Sequence, residues 1–263
     1  MSTLSYAVAD SATMLRRQLR HMQRYLSMTL LLIGMPIVFL LLFVYVFGGT
    51  LGSGLGGPSG GRAAYIQYVT PGILLMAVAA IAQGTAISVA MDMTEGIIAR
   101  FRIMAIFRPS VLTGHVLSSM IQAMLSLTIV VGVALAIGFR SSAGLIEWVA
   151  AAGVLAMIAL PLTWLTVALG MVTKTVEAAS NVPMPLMFLP FLSSGFVPTD
   201  SMPTGLRWFA EYQPFTPVIE TLRGLLVGTQ IGSSAIVAIA WCAGITLVGY
   251  VWAKKLYNRD PVR

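Results

Sequence analysis

Hydrophobic residues are concentrated in six long runs that short polar segments separate. A helix of about 20 apolar residues crosses the hydrocarbon core of a bilayer, and five of the runs reach that length. The pattern predicts an all-α integral membrane protein with six transmembrane helices. The runs are residues 26–47, 69–91, 115–139, 148–171, 181–196 and 234–253.

The fifth run differs from the others because it has only 16 residues and contains Pro183, Pro185 and Pro190. Broken backbone is tolerated at membrane depth only where protein covers it. We therefore expect a span that leaves the membrane and then dips back, with re-entrant helices in the external segment 197–233.

The composition supports a membrane protein. Of 263 residues 57% are hydrophobic and 10% are charged, and the mean hydropathy is +0.87, whereas an average soluble domain is about 25% charged. The first run is longer than the roughly 7–15 residues of a signal-peptide core, so we expect it to be retained as a span. Cys242 is the single cysteine, which excludes an intrachain disulfide. The whole chain, residues 1–263, is interpreted as one transmembrane domain.

The basic residues indicate an orientation. If the N-terminus is cytoplasmic, 12 of the 16 lysines and arginines lie on the inner side, as the positive-inside rule requires. This predicts a multi-pass protein of the plasma membrane with both termini and residues 92–114 in the cytoplasm, and with residues 48–68 and 197–233 outside.

The N-terminal segment 10–25 is predicted to be an interfacial helix that Asp10 or Ser11 caps. Arg16, Arg20 and Arg24 recur every four residues and would face anionic headgroups. A flank that only fixes the topology is the alternative.

The cytoplasmic segment 92–108 is predicted to be a helix that contacts a partner. Asp92 and Glu95 have the spacing of a capping box, and an apolar stripe and three arginines follow. Such a helix can dock into a groove on another protein, although an ordinary interfacial helix would have the same pattern. The candidate contact residues are Asp92, Glu95, Ile97, Arg100, Phe101, Arg102, Met104 and Arg108.

The external segment contains two predicted amphipathic helices, Thr204–Tyr212 and Val218–Val227, which Pro214 and Pro217 divide. Two opposite charges stand at helical spacing in each helix. The helices would either re-enter the outer leaflet and close a pathway or lie on the membrane surface as a hairpin. The candidate residues of this segment are Pro198, Glu211, Pro214, Glu220 and Arg223, with Arg207 pairing with Glu211.

The interiors of the six runs contain no Asp, Glu, Lys or Arg. Ion-coupled transporters place ionisable groups there, so this mechanism is disfavoured. The mildly polar and small residues that could line a pathway or pack helices together are Gln83, Gly84, Ser88 and Gln122, and Ala80 extends a small-residue ridge with two of them.

Enzymatic motifs are missing from the sequence. No Gly-Lys dipeptide occurs, which excludes a Walker A loop, and two histidines, His21 and His115, do not form an HExxH zinc motif. Gly57–Gly61 matches GxSxG formally but lies in a glycine-rich loop rather than at a strand-to-helix turn. The chain is therefore predicted not to be an enzyme and to hold no metal or cofactor of its own.

Several stretches resemble the membrane permeases of type-2 ABC exporters, in particular the daunorubicin-resistance-like branch of actinobacteria. They are FVYVFGG at 43–49, Pro71-Gly72, GIIARFR at 96–102, FLSSGFVPTDSMP at 191–203 and QPFTPVIETLRGLL at 213–226. Ala105 stands where members usually carry a proline.

The resemblance implies six spans, a cytoplasmic coupling helix between the second and third spans, and re-entrant helices before the sixth. It also implies a permease dimer with two copies of a separate ATPase that binds ATP and Mg²⁺, and export of a hydrophobic or amphipathic drug, antibiotic, lipid or glycolipid. A secondary transporter or channel and a non-transport membrane scaffold are the alternatives.

Overall fold

The computed structural model describes residues 3–24, 26–55, 61–98 and 109–258. These segments are helical or form short turns, and five helices are long and apolar enough to cross a membrane. The prediction of an all-α integral membrane protein is confirmed. The helices are α1 (Thr3–Arg24), α2 (Leu26–Leu42), α3 (Gly48–Ser53), α4 (Arg62–Thr94), α5 (Pro109–Ala136), α6 (Leu145–Val172), α7 (Val176–Asn181), α8 (Met184–Phe188), α9 (Thr204–Tyr212), α10 (Phe215–Val227) and α11 (Ser234–Asn258).

Helix α4 is the central element. Every residue from 69 to 82 is buried, and the helix contacts α2, α5, α6, α7 and α10. A helix that is apolar on all sides is surrounded by other elements rather than lying at a surface. The outer helices α2, α5, α6 and α11 instead expose many large apolar side chains, as helices facing lipid do.

Five of the predicted spans overlap an observed helix whose ends differ from the predicted bounds by up to seven residues, but one local prediction was wrong. Asp10 and Ser11 do not cap α1, because α1 begins at Thr3. Residues 181–196 are interrupted, as their prolines indicated: α7 ends at Asn181, α8 covers Met184–Phe188 and a 3₁₀ helix covers Leu189–Leu192. Prolines lack the N–H that a continuous helix needs, and Pro183 and Pro190 stand at the two breaks.

The two external helices are close to their predicted bounds. Helix α9 has the predicted bounds, whereas α10 begins at Phe215, three residues earlier than expected. Pro217 therefore does not divide the helices but lies in the first turn of α10, where a missing N–H removes no hydrogen bond. Pro214 occupies the N-cap position of α10.

Two glycines allow helices and turns to approach closely. A Cβ on Gly72 of α4 would lie 2.8 Å from the carbonyl oxygen of Gly195, and a Cβ on Gly114 of α5 would lie 2.7 Å from Cβ of Met14 in α1. Small residues at such crossings let backbones pack at short range. The turn 193–196 is thereby fixed on α4, and α1 is fixed on α5.

Candidate functional site

A cluster of four polar side chains joins α1, α4 and α5. We call it the polar junction; its members are Arg17, Gln18, Asp92 and His115. Arg17 donates from Nη1 to Asp92 Oδ2 at 2.8 Å and from Nη2 to Oδ1 at 2.6 Å, which is the bidentate geometry of a strong ion pair. The Asp92 side chain is only 5% exposed.

The amide and the imidazole complete the junction. Gln18 Nε2 donates to Asp92 Oδ2 at 3.2 Å. His115 Nε2 lies 3.1 Å from the same oxygen and 3.1 Å from Gln18 Nε2. A buried carboxylate is stable only when it is paired and hydrogen-bonded, and these three side chains meet that requirement for Asp92.

The predicted role of Asp92 as a helix N-cap was wrong. Asp92 lies in the last turn of α4, which continues to Thr94, and Glu95 follows that helix as an exposed residue. The helix continues beyond the predicted end at Met91, and Arg17 pairs with the carboxylate of Asp92 inside the fold. The run assigned to the second span therefore has a buried acidic residue near its end.

Most of the predicted coupling helix lies outside the described residues. Ile97 is half-buried and Ile98 is buried, so the chain is still packed against the bundle after Gly96. The positions outside the described residues are Arg100, Phe101, Arg102, Met104 and Arg108.

A cavity of about 70 Å³ lies beside the polar junction, between α1, α2, α4 and α5. Three of the four predicted pathway residues line it, namely Gly84, Ser88 and Gln122. A polar space of this size has room for a few water molecules. The other polar residues of its wall are Gln18, Thr29, Thr85, His115, Ser118 and Ser119.

The fourth predicted pathway residue, Gln83, lies elsewhere. Its Nε2 donates to the carbonyl of Ser180 at 2.6 Å, which joins α4 to the end of α7. Ser180 immediately precedes the break between α7 and α8, so this bond satisfies a carbonyl that the interrupted helix would leave free.

An apolar groove of about 390 Å³ runs between α2, α4 and α8. We call it the methionine groove, because five methionines and three phenylalanines line it and Gln83 is its one polar residue. Methionine side chains adapt to ligands of different shape. The lining residues are Met28, Leu31, Leu32, Met35, Phe39, Met76, Ala80, Gln83, Ile87, Met184, Met187, Phe188 and Phe191.

A group of phenylalanines closes one end of the methionine groove. The rings of Phe191 and Phe196 stack with centroids 4.4 Å apart, and Phe43 lies 4.8 Å from Phe196. Phe39 meets Phe191 edge to face at 5.7 Å. These rings pack α2 against the 3₁₀ helix and the turn that follows it, so the broken segment is covered by protein.

Arg223 of α10 joins three segments of the chain. Its Nη2 donates to the carbonyls of Ser194 at 2.7 Å and Tyr68 at 3.3 Å, and Nη1 donates to Glu220 at 3.0 Å. The guanidinium also lies 4.0 Å from the centroid of the Tyr68 ring, within range of a cation–π contact. The predicted Glu220–Arg223 pair forms, and its arginine also fixes α10 to α4 and to the turn at 193–196.

The remaining external candidates have simpler contacts. Glu211 accepts from Arg207 Nε at 2.7 Å on the exposed surface of α9, as predicted, and Asp200 lies 2.7 Å from the same guanidinium. The carbonyl of Pro198 accepts from both the backbone N–H and the hydroxyl of Ser201. Within the described residues no three His, Cys, Asp or Glu side chains are arranged to hold a metal ion.

Sequence reasoning missed the methionine groove and most of the polar junction. Arg17 and Asp92 are 75 residues apart, and no local spacing rule connects them. The methionines of the groove had the appearance of ordinary span residues, because periodicity does not distinguish a side chain that faces lipid from one that lines a groove.

The chain is similar to known membrane transport proteins. The family described as ABC-2 type transporter matches residues 11–227. The daunorubicin resistance ABC transporter permease protein DrrB1 of Streptomyces coeruleorubidus is 27% identical over 195 residues, which cover 74% of this chain and 69% of that protein. The probable doxorubicin resistance ABC transporter permease protein DrrC of Mycobacterium tuberculosis, in two strains, is 26% identical over 196 residues. These residues cover 72% of this chain and 71% of that protein.

Proposed function

The chain belongs to the ABC-2 type transporter family and is a multi-pass permease subunit of an ABC exporter, and we propose that it exports a planar, hydrophobic or amphipathic drug. The methionine groove is the observation that carries this proposal, because it combines adaptable methionines, aromatic rings and a single polar residue. Ligand sites have this composition, with few polar groups that fix the orientation.

The chemistry of the groove supports this substrate class, and so do the names of the relatives, which refer to daunorubicin and doxorubicin resistance. These compounds carry flat aromatic rings, which phenylalanine rings contact favourably. The amide of Gln83, at the wall of the groove, would meet a polar substituent of the drug.

We propose that the energy comes from a separate ATPase, which binds ATP and Mg²⁺, and that the working complex contains two permeases and two ATPases. A closed two-fold dimer is the commonest symmetric assembly, and it would place a pathway between two copies of the bundle. The segment 92–108 is the proposed contact with the ATPase.

We further propose six spans, with the broken segment from α7 to the 3₁₀ helix as the fifth. Both termini and residues 92–114 would be cytoplasmic, and α9 and α10 would re-enter from outside. The placement of 12 of 16 basic residues on one side supports this orientation.

The orientation is testable by cysteine labelling. With Cys242→Ala as the background, we expect single cysteines at Ser53 and Ser201 to react with a membrane-impermeant maleimide in intact cells, since both side chains are exposed. A cysteine at Glu95 should react only after permeabilisation. The reverse pattern would contradict the orientation.

The drug-binding role of the methionine groove is testable with the reconstituted complex. We expect ATP-dependent uptake of doxorubicin into inside-out vesicles, and Phe188→Ala should raise its half-saturating concentration about 3- to 10-fold, because an aromatic pair contributes about 0.5–1.5 kcal/mol. Phe188 is 55% exposed, so its loss should disturb packing little.

Phe209→Ala in α9 is the matched control, because Phe209 is a partly exposed phenylalanine that does not line the groove. Equal effects of the two substitutions would argue against the groove as the drug site. Uptake that a protonophore abolishes and that persists without ATP would instead favour a secondary transporter.

A further inference from the structure

The polar junction lies where the proposed coupling segment is attached to the bundle. Asp92 is in the last turn of α4 before that segment, and His115 is in the second turn of α5 after it. Arg17 and Gln18 of α1 contact Asp92 and His115, which belong to the two helices that flank the segment. We propose that Arg17 is a positioning residue that makes α1 move with α4 and α5 when a partner ATPase displaces the segment between them.

Helix α1 is well placed to pass such a displacement to the drug pathway. It ends at Arg24, and α2 begins at Leu26. Met28, Leu31 and Met35 of α2 form one wall of the methionine groove. A shift of α1 relative to the membrane would therefore move that wall, whereas α4 forms the opposite wall. This step rests on the proposed function, because it assumes that the groove holds the substrate.

The rest of the interface between α1 and α5 holds the helix in place mainly by apolar packing and contains few polar contacts. Met14 packs against Gly114, and Ser11 Oγ lies 3.4 Å from Thr113 Oγ1. With apolar packing alone, a helix could shift by one turn along its neighbour with only a modest loss of packing energy. A buried polar pair fixes the register, because a shifted helix would leave a charge buried without its partner.

The cavity beside the polar junction also borders α2. Gln18 and His115 form part of its wall, and Met28, Thr29 and Leu32 of α2 form another part. Packed elements shift as rigid bodies between discrete positions. The junction would keep α1 with α4 and α5 while α2 shifts relative to them.

The proposal is testable without knowledge of the substrate. In the Cys242→Ala background, spin labels at Ser53→Cys and Ser201→Cys report the distance between α3 and the external segment in the permease–ATPase complex. We expect a distance change between the nucleotide-free and the ATP–vanadate states, and Arg17→Ala should reduce that change to less than half while the ATPase remains bound. Arg17→Lys, which keeps the charge and loses the bidentate geometry, should give an intermediate change.

Arg20→Ala is the matched control, because Arg20 is an exposed arginine of the same helix. It removes the same charge and should retain most of the distance change. The double variant Arg17→Asp with Asp92→Arg restores opposite charges and should recover part of what either single variant loses. Equal effects of Arg17→Ala and Arg20→Ala, or a full distance change in Arg17→Ala and Arg17→Lys, would overturn the proposal.

A disulfide separates positioning from general stability. Cysteines at Ser11 and Thr113 would replace two oxygens that are 3.4 Å apart, and copper phenanthroline would join them. In Arg17→Ala, we expect doxorubicin transported per ATP hydrolysed to fall about fivefold or more, as coupling losses commonly do, and to recover on oxidation and fall again on reduction. If the wild-type complex does not transport doxorubicin but still shows the distance change, the proposed drug is wrong, whereas the positioning role of Arg17 is supported.

Discussion

Replacing Arg223 with methionine is expected to destabilise the permease by about 3 kcal/mol, since breaking a buried, hydrogen-bonded charge network costs about 3–5 kcal/mol. Methionine fills a similar volume, so the loss would come from the carbonyls of Ser194 and Tyr68 and the carboxylate of Glu220. The turn at 193–196 would lose one of its attachments to α10. The midpoint of thermal unfolding should fall by roughly 6–12 °C for a chain of this size.

The reactivity of the single cysteine measures the thermal unfolding of the permease. Cys242 is 3% exposed in the folded protein, so a thiol-reactive dye that fluoresces on reaction reports unfolding directly. Arg207→Met is the matched control, because Arg207 pairs with Asp200 and Glu211 on the surface, and exposed ion pairs contribute little. A melting point in Arg223→Met equal to that of the control would refute the structural role of Arg223.

Replacing Phe101 with alanine is expected to weaken ATPase association about 30-fold. The sequence predicts an apolar stripe of Ile97, Phe101 and Met104 in the proposed coupling segment 92–108. Buried aromatic anchors dominate contacts of this kind at roughly 2 kcal/mol or more, and every 1.4 kcal/mol is about tenfold in Kd. Titration of the purified ATPase onto permease in nanodiscs gives the Kd directly.

Phe43→Ala serves as the control for Phe101→Ala. Phe43 packs against Phe196 within the bundle, so its loss should lower stability without changing recruitment of the ATPase. Native mass spectrometry of the wild-type complex should give two permeases with two ATPases. Unchanged ATPase affinity in Phe101→Ala would show that another surface holds the ATPase.

The polar junction and the Arg223 network have different consequences for the protein. Arg223 holds together segments that are proposed to lie outside, and its substitution should mainly lower the stability of the permease. The junction lies at the opposite end of α4, which contains Tyr68 near one end and Asp92 near the other. Substitution of Arg17 should act mainly on coupling, because Gln18 and His115 still contact the Asp92 carboxylate and Met14 still packs at Gly114.

Local sequence patterns predict the two helices of residues 204–227 better than they predict the interrupted run 181–196. Helix α9 has the bounds that its amphipathic pattern predicts, and the Glu220–Arg223 pair forms because helical spacing alone brings the two side chains together. The prolines of the run 181–196 indicated a broken span, but the sequence did not indicate the bounds of α8, of the 3₁₀ helix and of the turn that follows. That arrangement depends on Phe39 of α2 and on Phe43, which follows α2, because their rings contact Phe191 and Phe196.

The chain itself determined the membrane class, the five long helices and the family, because these follow from apolar run length, from charge scarcity and from motifs that are contiguous in sequence. Tertiary structure alone decided that Asp92 is a buried partner of Arg17 rather than a helix cap, and that Gln83 contacts Ser180 while Gln122 borders a cavity. The physical reason is the same in each instance. The burial of a polar side chain is stable only with a partner, and those partners lie 75 and 97 residues away, where hydrophobic periodicity contains no information about pairing.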